Sequence, residues 1–274
     1  MKISKNYLNK SFAALMLGGI LFSSQSCTLL SSAGLTSKGL PATEVEGDLT
    51  STTANSSVNI DHSAWTALLQ KHVSSNGNVD YKGFKNDRAA LDSYLKMLSE
   101  NKPTKKWSVQ ELLAYYINTY NAYTVDLILD NYPVKSIKDI SSPWTKSIIP
   151  VGDTNMSLAG IENSLLKKMN DPRFHFAINC ASISCPKLRR DAYTAAKINE
   201  QLDAAASDFI NSNMNEISPG SAQISSIFDW YEKDFTRNGS SVINYINKYS
   251  KTKISQGAKV SYKNYDWNLN DVNR

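Results

Sequence analysis

The stretch from Ser108 to Pro133 constrains the fold more than any other part of the chain. Ser108 stands as an N-cap, Glu111 three residues later completes a capping-box pattern, and Pro133 stops any continuation. The spacing predicts a helix running to about Leu129. At about 100° per residue, Glu111, Asn118 and Asn121 fall within about 80° of one another, interleaved with Ala114, Ala122 and Val125. Leu113, Tyr116, Ile117, Tyr120, Leu127 and Ile128 take the opposite side. Such a helix must be covered on both sides. Its buried Asn and Glu then need partners, because an unsatisfied buried polar group costs ~1–3 kcal/mol. Either they form a structural network that fixes neighbouring loops, or they wall a site in which Glu111 does acid–base work, its neutral form favoured by desolvation.

Apolar periodicity predicts further helices over Ile60–Val73, Asp87–Leu98, Leu158–Met169 and Ile198–Phe209. Tyr231–Phe235 and Val242–Tyr249 give two more elements. Phe174–Cys180 reads as a buried strand and Lys259–Tyr262 as a weak one. Asn76–Gly77–Asn78 is a turn, and residues 141–157, with Pro143, Pro150 and Gly152, read as a loop. Five Trp, fourteen Tyr and eight Phe can fill a sizeable core. The class is α+β, mainly helical with a small antiparallel or mixed sheet, in a single domain over residues 58–274.

The N-terminus reads as an address. Lys2, Lys5 and Lys10 precede an apolar run from Phe12 to Phe22, followed by Ser23–Ser24–Gln25–Ser26–Cys27. The run is about 11 residues, short of the roughly 20 needed to span a bilayer. Residues 1–26 are therefore taken as a lipoprotein signal peptide and Cys27 as the lipidated residue. Ser24, where an aliphatic is usual, departs from that pattern, and the alternative is an ordinary cleaved signal. Residues 27–57, rich in Ser, Thr, Gly and Ala, read as a flexible tether. The expected place is the bacterial cell envelope, with a membrane partner through the N-terminal lipid. With no acid in Thr28–Leu29–Leu30–Ser31–Ser32, the protein is expected to face the periplasm. The three leading lysines make up more than half of the net +5, so no nucleic-acid partner is expected.

The segment Phe174–His175–Phe176–Ala177–Ile178–Asn179–Cys180 with Cys185–Pro186 carries the candidate chemistry. A Cys–His pair is the minimum for thiol catalysis, with imidazole taking the thiol proton and the thiolate attacking a carbonyl. In an extended run, however, His175 and Cys180 lie on opposite faces, so a dyad requires the strand to end or bulge before Cys180. Two other readings compete: a Cys180–Cys185 disulfide made in an oxidising compartment, or two inert core thiols. Disulfide exchange is a further idea, although C-x4-C lacks the spacing of known redox helices. No second ligand pair accompanies these residues and no phosphate loop or nucleophile elbow is present, so neither metal nor cofactor is expected. The cluster Ser225–Phe235 reads as core aromatics with solvated charges between, the alternative being a pocket wall.

Ala114–Tyr115–Tyr116–Ile117–Asn118–Thr119–Tyr120–Asn121–Ala122 and Phe174–Cys180 with Ser184–Cys185–Pro186 resemble the two hallmarks of the domain of unknown function 547 family. Weaker matches are Gly77–Tyr81, Leu158–Glu162 and Ile227–Tyr231 with Asp234–Phe235, so the likeness spans about residues 63–250. Tyr116 stands where the family commonly has Trp. The resemblance implies an exported domain of unestablished activity. A more distant likeness to papain-like and transglutaminase-like cysteine hydrolases implies a sheet strand carrying the catalytic His. On that likeness His175 takes the strand position, but the facing helix position holds Asn118 or Asn121 rather than Cys. Either Cys180 is the nucleophile from elsewhere, with His175 its base, or the scaffold is a non-catalytic descendant. Glu111 or Asn118 would orient the imidazole or bind the oxyanion, Asn121 would bind ligand, and the substrate would be a peptide-like amide. The alternative is a non-catalytic envelope scaffold that binds an envelope protein, stapled by Cys180–Cys185.

Overall fold

The computed structural model describes residues 36–51 and 58–274. The expected signal peptide, residues 1–26, and Cys27 lie outside the described residues. Among the described residues four helices come first: α1 (Ser63–His72), α2 (Tyr81–Asn86), α3 (Arg88–Glu100) and α4 (Val109–Asn131). Ser108 caps α4 as expected, its hydroxyl accepting the Glu111 N–H at 3.1 Å. The reciprocal half of the capping box is replaced, because the Glu111 carboxylate accepts the Ile60 N–H at 3.0 Å. Every residue of α4 from Gln110 to Val125 is buried.

The region read as a loop contains a short hairpin, β1 (Ile149–Val151) with β2 (Thr154–Met156), turning at Gly152 with φ +58°. Pro150 and Gly152 were breakers in the sequence, but Ile149, Val151 and Met156 are fully buried and hold the strands inward. After it, α5 (Leu158–Ile161) widens into a π-helical turn at Glu162–Leu166 and tightens to a 3-10 turn at Lys167–Met169. The expected helix there is thus three segments. A π turn rotates side chains off the α register and is often found at functional sites.

The expected strand Phe174–Cys180 is instead a 3-10 turn, Pro172–Phe176. Asp171 starts it by accepting the Arg173 N–H at 3.1 Å, and Pro172 occupies the first helical position. Asp-Pro is a helix-start signal that outweighs the apolar run behind it. No strand carries His175, so the arrangement implied by the papain-like likeness is not present there.

The second half has α6 (Ile198–Ile210), β3 (Glu216–Ile217), β4 (Ser221–Ser225), α7 (Ile227–Trp230), α8 (Glu232–Phe235), α9 (Val242–Tyr249) and β5 (Lys259–Lys263). Strand β4 pairs antiparallel with β3 and parallel with β5, in the register Ala222↔Val260 and Ile224↔Tyr262. The class is α+β with a small mixed sheet. Two apolar cores result. One surrounds α4 and includes Phe174; the other includes Phe176, Phe209, Phe228 and Phe235, with Ala222 and Ile224 from the sheet. His175 therefore sits at their seam.

Residues 36–51, expected to belong to a flexible tether, pack on the first core. Leu40 and Leu49 are buried. Val45 N–H donates to the Met169 carbonyl at 2.7 Å, and the Tyr116 hydroxyl donates to the Pro41 carbonyl at 3.1 Å. The low apolar content hides two well-placed leucines and a backbone that finds partners. Leu40→Ala and Leu49→Ala are each expected to lower unfolding stability by ~2–3 kcal/mol in urea titrations, in line with core truncations. A tether would show no change.

Candidate functional site

A cavity of about 430 Å³ opens at the seam between the two cores. Cys180, Cys185, His175 and Glu162 line it, with Trp144, Trp230, Tyr231, Tyr265 and Trp267 as aromatic walls. The rings pack against one another: Trp230 stacks on Trp267 with centroids 5.9 Å apart, and Tyr265 lies 4.6 Å from Trp267. Trp230 is about half exposed, at 48%. An apolar recess with a few converging polar groups is the common form of a small-ligand site.

Cys180 and Cys185 are both free thiols. Their sulfurs are in contact at 2.9 Å. Ala181, in the left-handed conformation at φ +59°, turns the chain directly after Cys180, and the Cys180 N–H then donates to the Cys185 sulfur at 2.9 Å. The Cys180 sulfur also meets the Ser182 hydroxyl at 3.2 Å and the Tyr265 hydroxyl at 3.3 Å. Ser182 donates to the Tyr265 oxygen at 3.1 Å, which polarises the Tyr265 O–H toward the sulfur. The hydrogen bond from Cys185, helped by Ser182 and Tyr265 and opposed by burial, lowers the Cys180 pKa to about 7. Burial and the neighbouring Cys180 push Cys185 the other way. Burial likewise raises Tyr265, so its proton stays available for donation.

His175 is fully buried, between Phe174 and Tyr231 with ring centroids 4.0 Å from each. Its Nε2 bonds Asp234 at 3.0 Å. Burial lowers the imidazole pKa, against the pull of Asp234. The Asp234 carboxylate also pays for burial, but the bonds from His175 and Arg237 and the charge of Lys167 outweigh it and hold its pKa low. An ionised carboxylate can only accept, so Nε2 carries the proton and Nδ1 keeps the ring's lone pair. Beside the ring, the Tyr231 hydroxyl donates to Glu162 at 2.6 Å.

The structure thus brings Cys180, Cys185 and His175 to one cavity, while Glu111, Asn118 and Asn121 do not line it. His175 makes its hydrogen bond to Asp234, so neither Glu111 nor Asn118 orients the imidazole. Glu111 sits at the start of α4 with Ile60; burial raises its pKa, partly offset by that N–H. Asn118 donates to the Tyr193 carbonyl at 2.8 Å and accepts its N–H at 3.0 Å. Asn121 donates to the Ala177 carbonyl at 2.9 Å and accepts the Asn179 N–H at 2.8 Å. Both amides are spent on backbone, which is the structural-network reading. Asn179 extends it, donating to the Pro186 carbonyl at 2.7 Å and accepting the Ala181 N–H at 2.9 Å.

Sequence reasoning missed Asp234, Glu162, Tyr231 and Tyr265 as site residues. A signal existed for three: Glu162 closes a family-like motif, and Tyr231 and Asp234 lie in the aromatic–acid cluster read as core. Phe228 and Phe235 are indeed core, whereas Trp230 and Tyr231 line the cavity and Asp234 bonds His175. Nothing near Tyr265 marks it. Residues 104–210 match the family described as "Protein of unknown function, DUF547". That span holds Glu162, His175, Cys180 and Cys185 but not Tyr231, Asp234 or Tyr265. No curated protein and no solved structure matches the chain.

Asn121→Ala is expected to cost ~2–4 kcal/mol in urea unfolding, since it strands a buried carbonyl and a buried N–H. A loss under about 1 kcal/mol would show that the 177–179 backbone finds other partners.

Proposed function

We propose that this is a lipid-anchored protein of the bacterial cell envelope whose domain is a thiol-dependent hydrolase or acyl transferase for peptide-like amides. The observation that carries the reading is the setting of Cys180: a thiol made acidic by a second thiol and two hydroxyls, in an aromatic cavity shared with the His175–Asp234 pair. Cys180 is the nucleophile and His175 the base. Asp234 fixes the tautomer that leaves Nδ1 to receive the thiol proton, the role a carboxylate plays behind a catalytic imidazole.

The thiolate adds to the amide carbonyl, and the Tyr265 hydroxyl beside the sulfur, itself accepting from Ser182, is the donor nearest the oxyanion that forms. Collapse to a thioester expels the amine, which takes the proton held on His175. Water or an acceptor amine, deprotonated by the same nitrogen, then releases the acyl group and returns the thiol. An apolar or aromatic side chain of the substrate packs on Trp144, Trp230 and Trp267. The N-terminal pattern of lysines, apolar run and Cys27 supports the anchor.

Alkylation of Cys180 by iodoacetamide, in protein carrying Cys27→Ser, is expected to rise through a midpoint near pH 7. An ordinary thiol responds near pH 8.5, and Tyr265→Phe should move the midpoint toward it. His175→Asn should keep the alkylation but lose turnover of amide and thioester probes by 10²-fold or more, the scale of a lost general base. An unperturbed Cys180, reacting only above pH 8, would sink the nucleophile. For the anchor, Cys27→Ala is expected to release the protein from the membrane fraction and abolish incorporation of labelled palmitate; unchanged labelling would exclude Cys27.

A further inference from the structure

We propose that Cys180 and Cys185 are also a dithiol–disulfide couple, exchanging electrons with organic disulfides that seat an apolar or aromatic substituent in the cavity. The inference rests on Cys180 as the nucleophile proposed above, but it gives the next step to sulfur rather than to imidazole.

Three observations lead to it. Of the side-chain atoms that meet the Cys180 sulfur, the Cys185 sulfur comes nearest, at 2.9 Å, whereas the hydrogen bond of His175 goes to Asp234. Bonded sulfurs stand about 2.05 Å apart, so closure needs a movement of under about 1 Å. The two thiols are also unequal. Cys180 is part-exposed and acidic, while Cys185 is buried and holds its proton more firmly. That division suits an attacking thiol and a resolving one. Finally, the turn at Ala181 aims the Cys180 N–H at the Cys185 sulfur, where it stabilises negative charge when that thiol ionises.

The exchange balances as follows. The Cys180 thiolate attacks one sulfur of R–S–S–R; the S–S bond breaks and RS⁻ departs, leaving a mixed disulfide on Cys180. Cys185 gives its proton to the departing thiolate and attacks the Cys180 sulfur, which expels the second RS⁻; this takes up the proton Cys180 lost on ionising. Two protein thiols and one disulfide become one protein disulfide and two thiols, a two-electron transfer. The Tyr265 and Ser182 hydroxyls that favour the Cys180 thiolate also make it the better leaving group when an external dithiol reverses the reaction. In the oxidised form the nucleophile is masked, so acyl transfer and exchange are mutually exclusive states of one site.

The probe is 4,4′-dithiodipyridine, added to protein carrying Cys27→Ser, so that Cys180 and Cys185 are its thiols. The expected result is release of two equivalents of thiopyridone, with no pyridyl adduct retained and one Cys180–Cys185 crosslinked peptide by mass mapping. Cys185→Ser should stop at one equivalent, with the adduct on Cys180; Cys185→Ala serves if the serine variant loses its near-ultraviolet circular dichroism. His175→Asn should still release two equivalents, which separates this couple from the hydrolytic reading. A persistent adduct on Cys180 in the Cys27→Ser protein, or adducts on both cysteines, would overturn the couple while leaving Cys180 a nucleophile. Slow reaction of Cys180 in every variant would overturn both.

Discussion

Burial of α4 on every side from Gln110 to Val125 is the condition on which the rest of the structure depends. A helix surrounded by protein satisfies its own backbone but can leave its polar side chains nowhere to go. Here each buried amide is matched to one stretch of irregular chain: Asn118 to the backbone of Tyr193, Asn121 to that of Ala177 and Asn179. The stretches need the helix as much as it needs them, since their peptide groups are equally dry and have no sheet to pair with. The 177–186 segment is therefore held in place without regular secondary structure. Side-chain amides hold it from one side, with Asn179 serving Ala181 and Pro186 in the same way. The backbone of residues 266–270 pairs with residues 181–184 from the other.

That arrangement explains why the sulfurs sit where they do. Cys180 follows Asn179, whose N–H and side chain are both engaged, and the left-handed Ala181 then folds the chain back toward Cys185. The other half of the cavity is electrostatic. Asp234 is buried and gathers His175, Lys167 and Arg237 around one carboxylate. Its charge is stabilised by three partners, and in return it fixes the protonation of the imidazole. Glu162 is placed beside this group by the π turn, which shifts it relative to an α register.

How much of this was legible follows from the range of the forces involved. The helix Val109–Asn131 and its Ser108 cap were readable because capping, periodicity and proline are local signals. The need for partners at Asn118 and Asn121 was readable too, though not which partners, since those lie 75 and 56 residues away. The 3-10 turn was misread because an apolar heptad was weighed above an Asp-Pro start. The β1–β2 hairpin was misread because Pro150 and Gly152 obscured three inward residues. Leu40 and Leu49 vanished into a Ser/Thr-rich average. His175 and the cysteines were found by their chemistry; Asp234 was read with the core aromatics around it, and Tyr265 had no sequence neighbour to expose it.

The tyrosine whose hydroxyl meets the Cys180 sulfur comes from 85 residues further along the chain. Synthesis delivers Cys180 and Cys185 well before Tyr265, and the donor cannot reach the sulfur until the β5 strand that leads into it has formed. During that interval Cys180 keeps its neighbour Cys185 but lacks one of the hydroxyls that help lower its pKa. The newborn chain therefore carries quieter thiols than the finished protein, and reactivity switches on as a late event in folding. Until the region around Tyr265 packs against it, Cys180 is less prone to ionise and so slower to pair with another thiol.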